Sequence, residues 1–213
     1  MNYSLEIDEA AIVILGSFNP ALFHPFWFNA KGLIKPEEAE ASKIEVTHPT
    51  LSVFSMDWCK VQVELERFII QATNPFHFDQ ILDLVLGTFT LLESVPVKAL
   101  GMNRMMHFKV ESREKMDAFG DMIAPKEIWK NFMKDPGLSH LIMVDPRDKA
   151  KESTQITIQR SNRLELGIFI AINDHHDIDN NKIDDMLTIL KNSWQISLSK
   201  GEEKAQLLLN KVK

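Results

Sequence analysis

The chain has 213 residues, of which 45% are hydrophobic and 25% charged, and a formal net charge of −6. This composition suits a water-soluble globule with a real core, and the acidic balance disfavours partners held by clustered Lys and Arg, nucleic-acid backbones first among them. Cys59 is the only cysteine, so no intramolecular disulfide is available. Met1 to Glu9 is acidic and lacks an apolar run, and no apolar stretch is long enough to span a bilayer. We therefore expect no signal peptide, no membrane partner and a cytoplasmic location, where a lone thiol stays reduced.

Ala10 to Leu15 reads as a short apolar strand closed by Gly16. The stretch that follows, Gly16 to Phe28, packs four Phe and Trp27 into a segment with two prolines, so it cannot be one regular helix. Its aromatic load must be buried, either in the core or against a partner. Residues 10–34 thus form an N-terminal aromatic segment. Pro36 to Glu40 is an exposed helical turn or loop, and Lys43 to Thr47 a short strand.

From Trp58 the pattern sharpens. Val61, Val63 and Leu65 alternate with polar residues, and Phe68 to Thr73 reads as a second strand ended by Asn74-Pro75. Ile81, Leu82, Val85, Phe89 and Leu92 then fall on one face of a helix. A hairpin cannot hide its apolar face alone, and the helix that follows can cover it. A similar unit recurs in the last third. Gln155 to Gln159 alternates, Leu164 to Asn173 is a long apolar strand, and a helix carries Ile183, Met186, Leu187, Leu190 and Trp194. The expected fold is α+β: antiparallel sheet built from two similar hairpin-plus-helix units, with helices packed on one face. The expected organisation is a single domain, 1–213, with pseudo-repeated halves at about 44–110 and 138–213.

Between the units, Pro96 to Val110 reads as a strand in which Gly101 permits a bulge or a close backbone approach. Ser112 is a plausible N-cap for a short helix. Pro125 opens a second helix, Lys126 to Lys134, with Ile128, Trp129 and Phe132 on one side. Asp135-Pro136-Gly137 is a turn, Leu138 to Val144 a strand, and Asp145 to Ser153 a charged loop. The tail from Glu202 to Val212 extends the last helix, with a break or bend at Gly201.

Four stretches carry residues with chemical potential. Gly16-Ser17-Phe18-Asn19-Pro20 resembles the opening of the nucleotidyltransferase signature, a strand running into Gly-x-Phe-Asn/Asp-Pro and then His-x-Gly-His. That resemblance implies a parallel doubly wound sheet and phosphates held by histidines at a helix N-terminus. Here the second part departs: Ala21 to Pro25 offers only His24, no glycine, and a proline where the helix should run. The second stretch, Asp174 to Asn181, supplies His175, His176, Asp177 and Asp179 as candidate metal ligands. A calcium loop counted from Asp177 would need Gly and Glu where Lys182 and Thr188 stand, and adjacent histidines on an extended chain point apart. The plainer reading is an acidic loop that caps the following helix.

The third, Gly101 to His107, presents Asn103, Arg104 and His107 either to a ligand or to solvent on a wet strand face. The fourth is Cys59 beside Trp58, expected to be buried and inert. No nucleophile elbow, phosphate loop, Cys-x-x-Cys or His-Glu-x-x-His occurs.

These residues point first to a non-catalytic binding or assembly protein of a bacterial-type cytoplasm, acting through a protein partner or a homodimer interface. Its candidate contact residues are Asn19, His24, Trp27, Asn103, Arg104 and His107, with no cofactor and no metal. The alternative is a nucleotide or small-molecule enzyme using the Gly16–Pro20 loop and His24. A second alternative is a nucleic-acid binder that uses a curved sheet as a saddle, with Lys98, Arg104, Lys109, Arg160 and Arg163 as its cations.

Overall fold

A computed structural model describes residues 3–146 and 151–211. Among them the chain runs β1 (Tyr3–Gly16), α1 (Pro25–Ala30), α2 (Pro36–Ala41), β2 (Lys43–His48), β3 (Leu51–Met56), β4 (Cys59–Glu64), β5 (Arg67–Ala72) and α3 (Phe78–Leu91). It continues with β6 (Val97–Val110), α4 (Arg113–Ile123), β7 (His140–Pro146), β8 (Glu152–Arg160), β9 (Gly167–Asp177) and α5 (Ile183–Asn210). All nine strands join one sheet in the order β2-β3-β4-β5-β1-β6-β9-β8-β7, and every pairing is antiparallel. The α+β class with an antiparallel sheet is thus the observed one. No helix among the described residues is long and apolar enough to cross a membrane.

The sheet has one covered face and one free face, and alternation along the two central strands decides which residue goes where. On β1, Ala10, Ile12 and Ile14 are fully buried beneath the helices, with Ile70 of β5 and Leu100 and Met102 of β6 beside them. α3 adds Ile81, Val85 and Phe89 to this core, and α5 adds Met186, Leu190 and Trp194. Burying an aromatic or large aliphatic side chain of this kind contributes about 1.5–3 kcal/mol. A second cluster lies further along the same face, where Met106, Phe108 and Val110 meet Phe119 of α4 and Ala205 and Leu209 of α5. A register shift at Glu6 keeps Tyr3 and Leu5 opposite Val110 and Phe108 on the covered side, while Ile7 faces His107 on the free side.

Several expectations shift. The first strand begins at Tyr3 rather than Ala10 and is the sheet's central strand with β6, because the bulge at Glu6 hides its alternation. β3 was not anticipated, and its Leu51, Val53, Phe54 and Met56 run without a regular period. Lys126–Ile128 forms only a 3-10 turn, not a helix to Lys134, and Ile128, Trp129 and Phe132 stand exposed. Asp174 to Asp177 is not a loop but the end of β9. Of the charged loop from Asp145 to Ser153, residues 147–150 lie outside the described residues, while Glu152 and Ser153 belong to β8. Gly101 pairs regularly on both sides without a bulge, yet close approach is real: a Cβ there would sit 3.0 Å from Asn173 Oδ1. α5 runs unbroken through Gly201, which is buried against Arg104 and Ile172.

Candidate interaction surface

The aromatic segment after β1 is packed inward by its own turns. Asn19 Oδ1 accepts the Ala21 amide at 3.3 Å and caps the turn Pro20–Leu22. His24 Nδ1 accepts the Phe26 amide at 3.4 Å and caps α1, its ring stacked on Phe26 at 5.5 Å. Trp27 is half-buried against Phe23 and Phe28, with centroids 5.9 and 5.0 Å away. Phe18, Phe23 and Phe28 are buried with Phe54, Phe68 and Phe89. These rings plug one end of the covered core. β1, which feeds this loop, lies between two antiparallel neighbours, so the parallel sheet implied by the nucleotidyltransferase resemblance is not this chain's architecture.

The Gly101–His107 stretch divides between the two faces. Arg104 is buried on the covered side, where it forms a bidentate pair with Asp8 and donates to the Leu198 carbonyl of α5 at 2.7 Å. Glu202 adds a second carboxylate at 3.0 Å. Burial alone would lower the Arg104 pKa, but the hydrogen bonds and charges of Asp8 and Glu202 outweigh it and the net shift is upward. It is a strut between sheet and helix, and the wet-face placement expected for it is wrong. His107 and Asn103 lie on the free face, and His107 is also buried, against Phe169 at 4.8 Å. Its Nδ1 is 2.8 Å from Ser161 Oγ. That oxygen already accepts the amides of Arg163 and Leu164 at 3.0 and 2.9 Å, so it donates its own proton and His107 is the neutral Nε2–H tautomer. Desolvation lowers the His107 pKa in keeping with this, the nearby Glu9 charge opposing it and Arg163 assisting.

Beside His107 the sequence hides a polar cluster. Glu9 is 5% exposed although it sits on the free face, and its carboxylate takes Gln71 at 3.2 Å and Arg163 at 3.3 Å. Nothing in the sequence singled Glu9 out from its acidic neighbours Glu6 and Asp8, and only the register brings Gln71 and Arg163 to it. Of the saddle's proposed cations, Arg163 is therefore paired with Glu9, and Arg104 lies on the opposite face.

His175 and His176 point to opposite faces, as alternation requires. His175 pairs with Asp177 at 3.0 Å, and His176 is buried 3.5 Å from Glu152. Asp174 on the covered face accepts from Thr154 and Ser197, both at 2.6 Å. Among the described residues, no group of three or more His, Cys, Asp or Glu is placed to hold a metal.

The surface with the least internal explanation lies at the β7 end of the sheet. Ile128, Trp129, Phe132 and Met133 are exposed, Phe132 by 78%. Trp129 and Met133 line a hollow of about 290 Å³ together with Leu138 and His140, where β7 begins. Along β7 itself Ile142 and Val144 are exposed on the free face and Met143 on the other. Among the described residues β7 pairs only with β8, so its outer ladder of N–H and C=O groups is open.

No protein-family model matches the chain, and no curated protein matches it. Function therefore rests on this geometry alone. The opposite sheet edge, β2, shows what a guarded edge looks like. It carries Lys43 and Glu45 within the strand, and Glu45 bonds Ser55 and Lys60 at 2.9 and 2.7 Å. On Ile142-Met143-Val144 there is no charge at all.

Proposed function

We propose that the chain is a non-catalytic binding or assembly protein that engages a protein partner through the apolar surface from Ile128 to Val144. One observation carries this reading: large apolar side chains gather beside an unguarded sheet edge. Monomers seldom leave several large apolar side chains exposed beside an open sheet edge without a use for them. Aromatic and Met side chains are also the types enriched at the centre of interfaces. The polar residues that suggested chemistry have structural partners instead, as Asn19 and His24 cap turns and Arg104 braces α5. A lone, buried Cys59 agrees with work in the cytoplasm.

We also read the chain as a duplicated unit. What supports this is that β1 and β6 are each 14 residues long and pair with one another at the sheet centre. Each is followed by helix, further strands and a closing helix, and on this reading the halves would be about 3–92 and 97–210 in place of 44–110 and 138–213.

The experiment is photo-crosslinking in living cells from a benzoyl-phenylalanine placed at Phe132, with the same probe at Phe76 as control. Phe76 is 90% exposed but stands apart from the patch. A discrete adduct from Phe132 and none from Phe76 is expected. Equal, diffuse labelling from both positions would sink the proposal.

A further inference from the structure

We infer that the partner on this surface is a second copy of the same chain, joined by antiparallel pairing of β7 with its symmetry mate about a two-fold axis at Met143. This rests on the reading of the surface as an interface and adds the identity and register of what covers it.

Three observations choose a second copy. First, an antiparallel edge is complementary to itself, and this edge has an apolar centre. With the axis at Met143, Ile142 of each protomer lies opposite Val144 of the other, both on the free face, and Met143 meets its own mate on the covered side. His140–Pro146 then lies alongside its mate, with Leu141 opposite Asp145 and Pro146 contributing no N–H, and the two nine-stranded sheets become one. Second, the charge that would keep copies apart is elsewhere. The chain carries −6, yet residues 122–146 hold Lys126, Lys130 and Lys134 against Glu127, Asp135 and Asp145, so this edge carries no net charge. Third, the area is sufficient. At roughly 100 Å² for each of Ile128, Trp129, Phe132, Ile142, Met143 and Val144, about 600 Å² of apolar side chain stands exposed per copy beside this edge, of the order of the ~800 Å² per partner of a stable interface. The charged β2 edge offers no equivalent, so pairing closes at two copies instead of growing into a ribbon.

Sedimentation equilibrium of the purified full chain, across a hundredfold range of concentration, is expected to report twice the chain mass. Ile142→Lys combined with Val144→Lys is expected to return the monomer, with circular dichroism unchanged. Ile44→Lys with Val46→Lys on the opposite edge is expected to leave the dimer intact. Met143→Cys tests the register without disturbing the fold: mild oxidation is expected to give a covalent dimer, whereas Val144→Cys, two residues removed from its own mate across the axis, is not. A monomer at every concentration, alongside a persisting heterologous adduct from Phe132, would overturn self-pairing and leave the surface reading in place. A dimer indifferent to the double lysine variant would overturn the use of β7.

Discussion

Arg104 and Asp8 form a two-pronged ion pair, Nε to Oδ1 at 3.0 Å and a terminal nitrogen to Oδ2 at 2.7 Å, with each side chain 10% exposed. They come from the two central strands and lie at the seam between the two apolar clusters, where α5 crosses the sheet. The guanidinium also holds the Leu198 carbonyl, so a single charge ties β1, β6 and α5 together. Such a pair is weak evidence for net stability, since desolvating both charges costs nearly what their attraction returns. Its asymmetry is the informative part: removing one partner leaves the other buried and uncompensated.

Asp8→Ala is therefore expected to destabilise the fold by about 3 kcal/mol, the low end for a broken buried pair because Glu202 still reaches Arg104. Urea unfolding followed by tryptophan fluorescence, to which the buried Trp194 contributes, reads this. The double variant Asp8→Leu with Arg104→Met should recover most of the loss. If the single variant costs under about 1 kcal/mol, the range of a surface pair, the strut is not structural.

His107 gives the fold a pH dependence of definite sign. Burial holds its folded pKa below the ordinary 6.5, so between those two values the unfolded chain binds more protons than the folded one. Its stabilising contribution is complete above about pH 6.5 and declines as pH falls from there toward the folded pKa. Protonation would also set an Nδ1–H against the Ser161 hydroxyl, whose lone pairs are already taken. Stability measured at pH 7.5 and 5.5 should fall less for His107→Asn than for the parent chain. An identical fall in both would remove His107 from the account.

Cys59 is buried at the start of β4, and that burial, with the charge of Glu38 adding to it, pushes its thiol well above the ordinary range. Since only a thiolate attacks readily, the native protein at pH 8 should resist an aromatic disulfide reagent and release one equivalent of thiol only on unfolding. The labelling rate then tracks opening of the β3-β4 region. Fast labelling of native protein would place Cys59 at an accessible site and reopen it as a nucleophile.

Local period and local chemistry were legible in the chain itself. The β4–β5 hairpin, the apolar stripe of α3, Ser112 as an N-cap and the opposed directions of His175 and His176 depend on residues two to four apart, and those rules act before any tertiary contact forms. Other features depend on which strand lies beside which and which face the helices cover. A bulge at Glu6 kept the length of β1 from showing in its alternation. Gly201 looked like a helix breaker, yet α5 packs it against Arg104 and Ile172, and that contact offsets the roughly 1 kcal/mol cost of a mid-helix glycine. Arg104 and His107 stand on one strand with opposite fates, one beneath α5 and one beside Glu9. Nothing near them in sequence announces either, because strand order and sheet face are set by contacts between distant residues, 96 apart for Arg104 and Asp8 and 154 apart for Glu9 and Arg163.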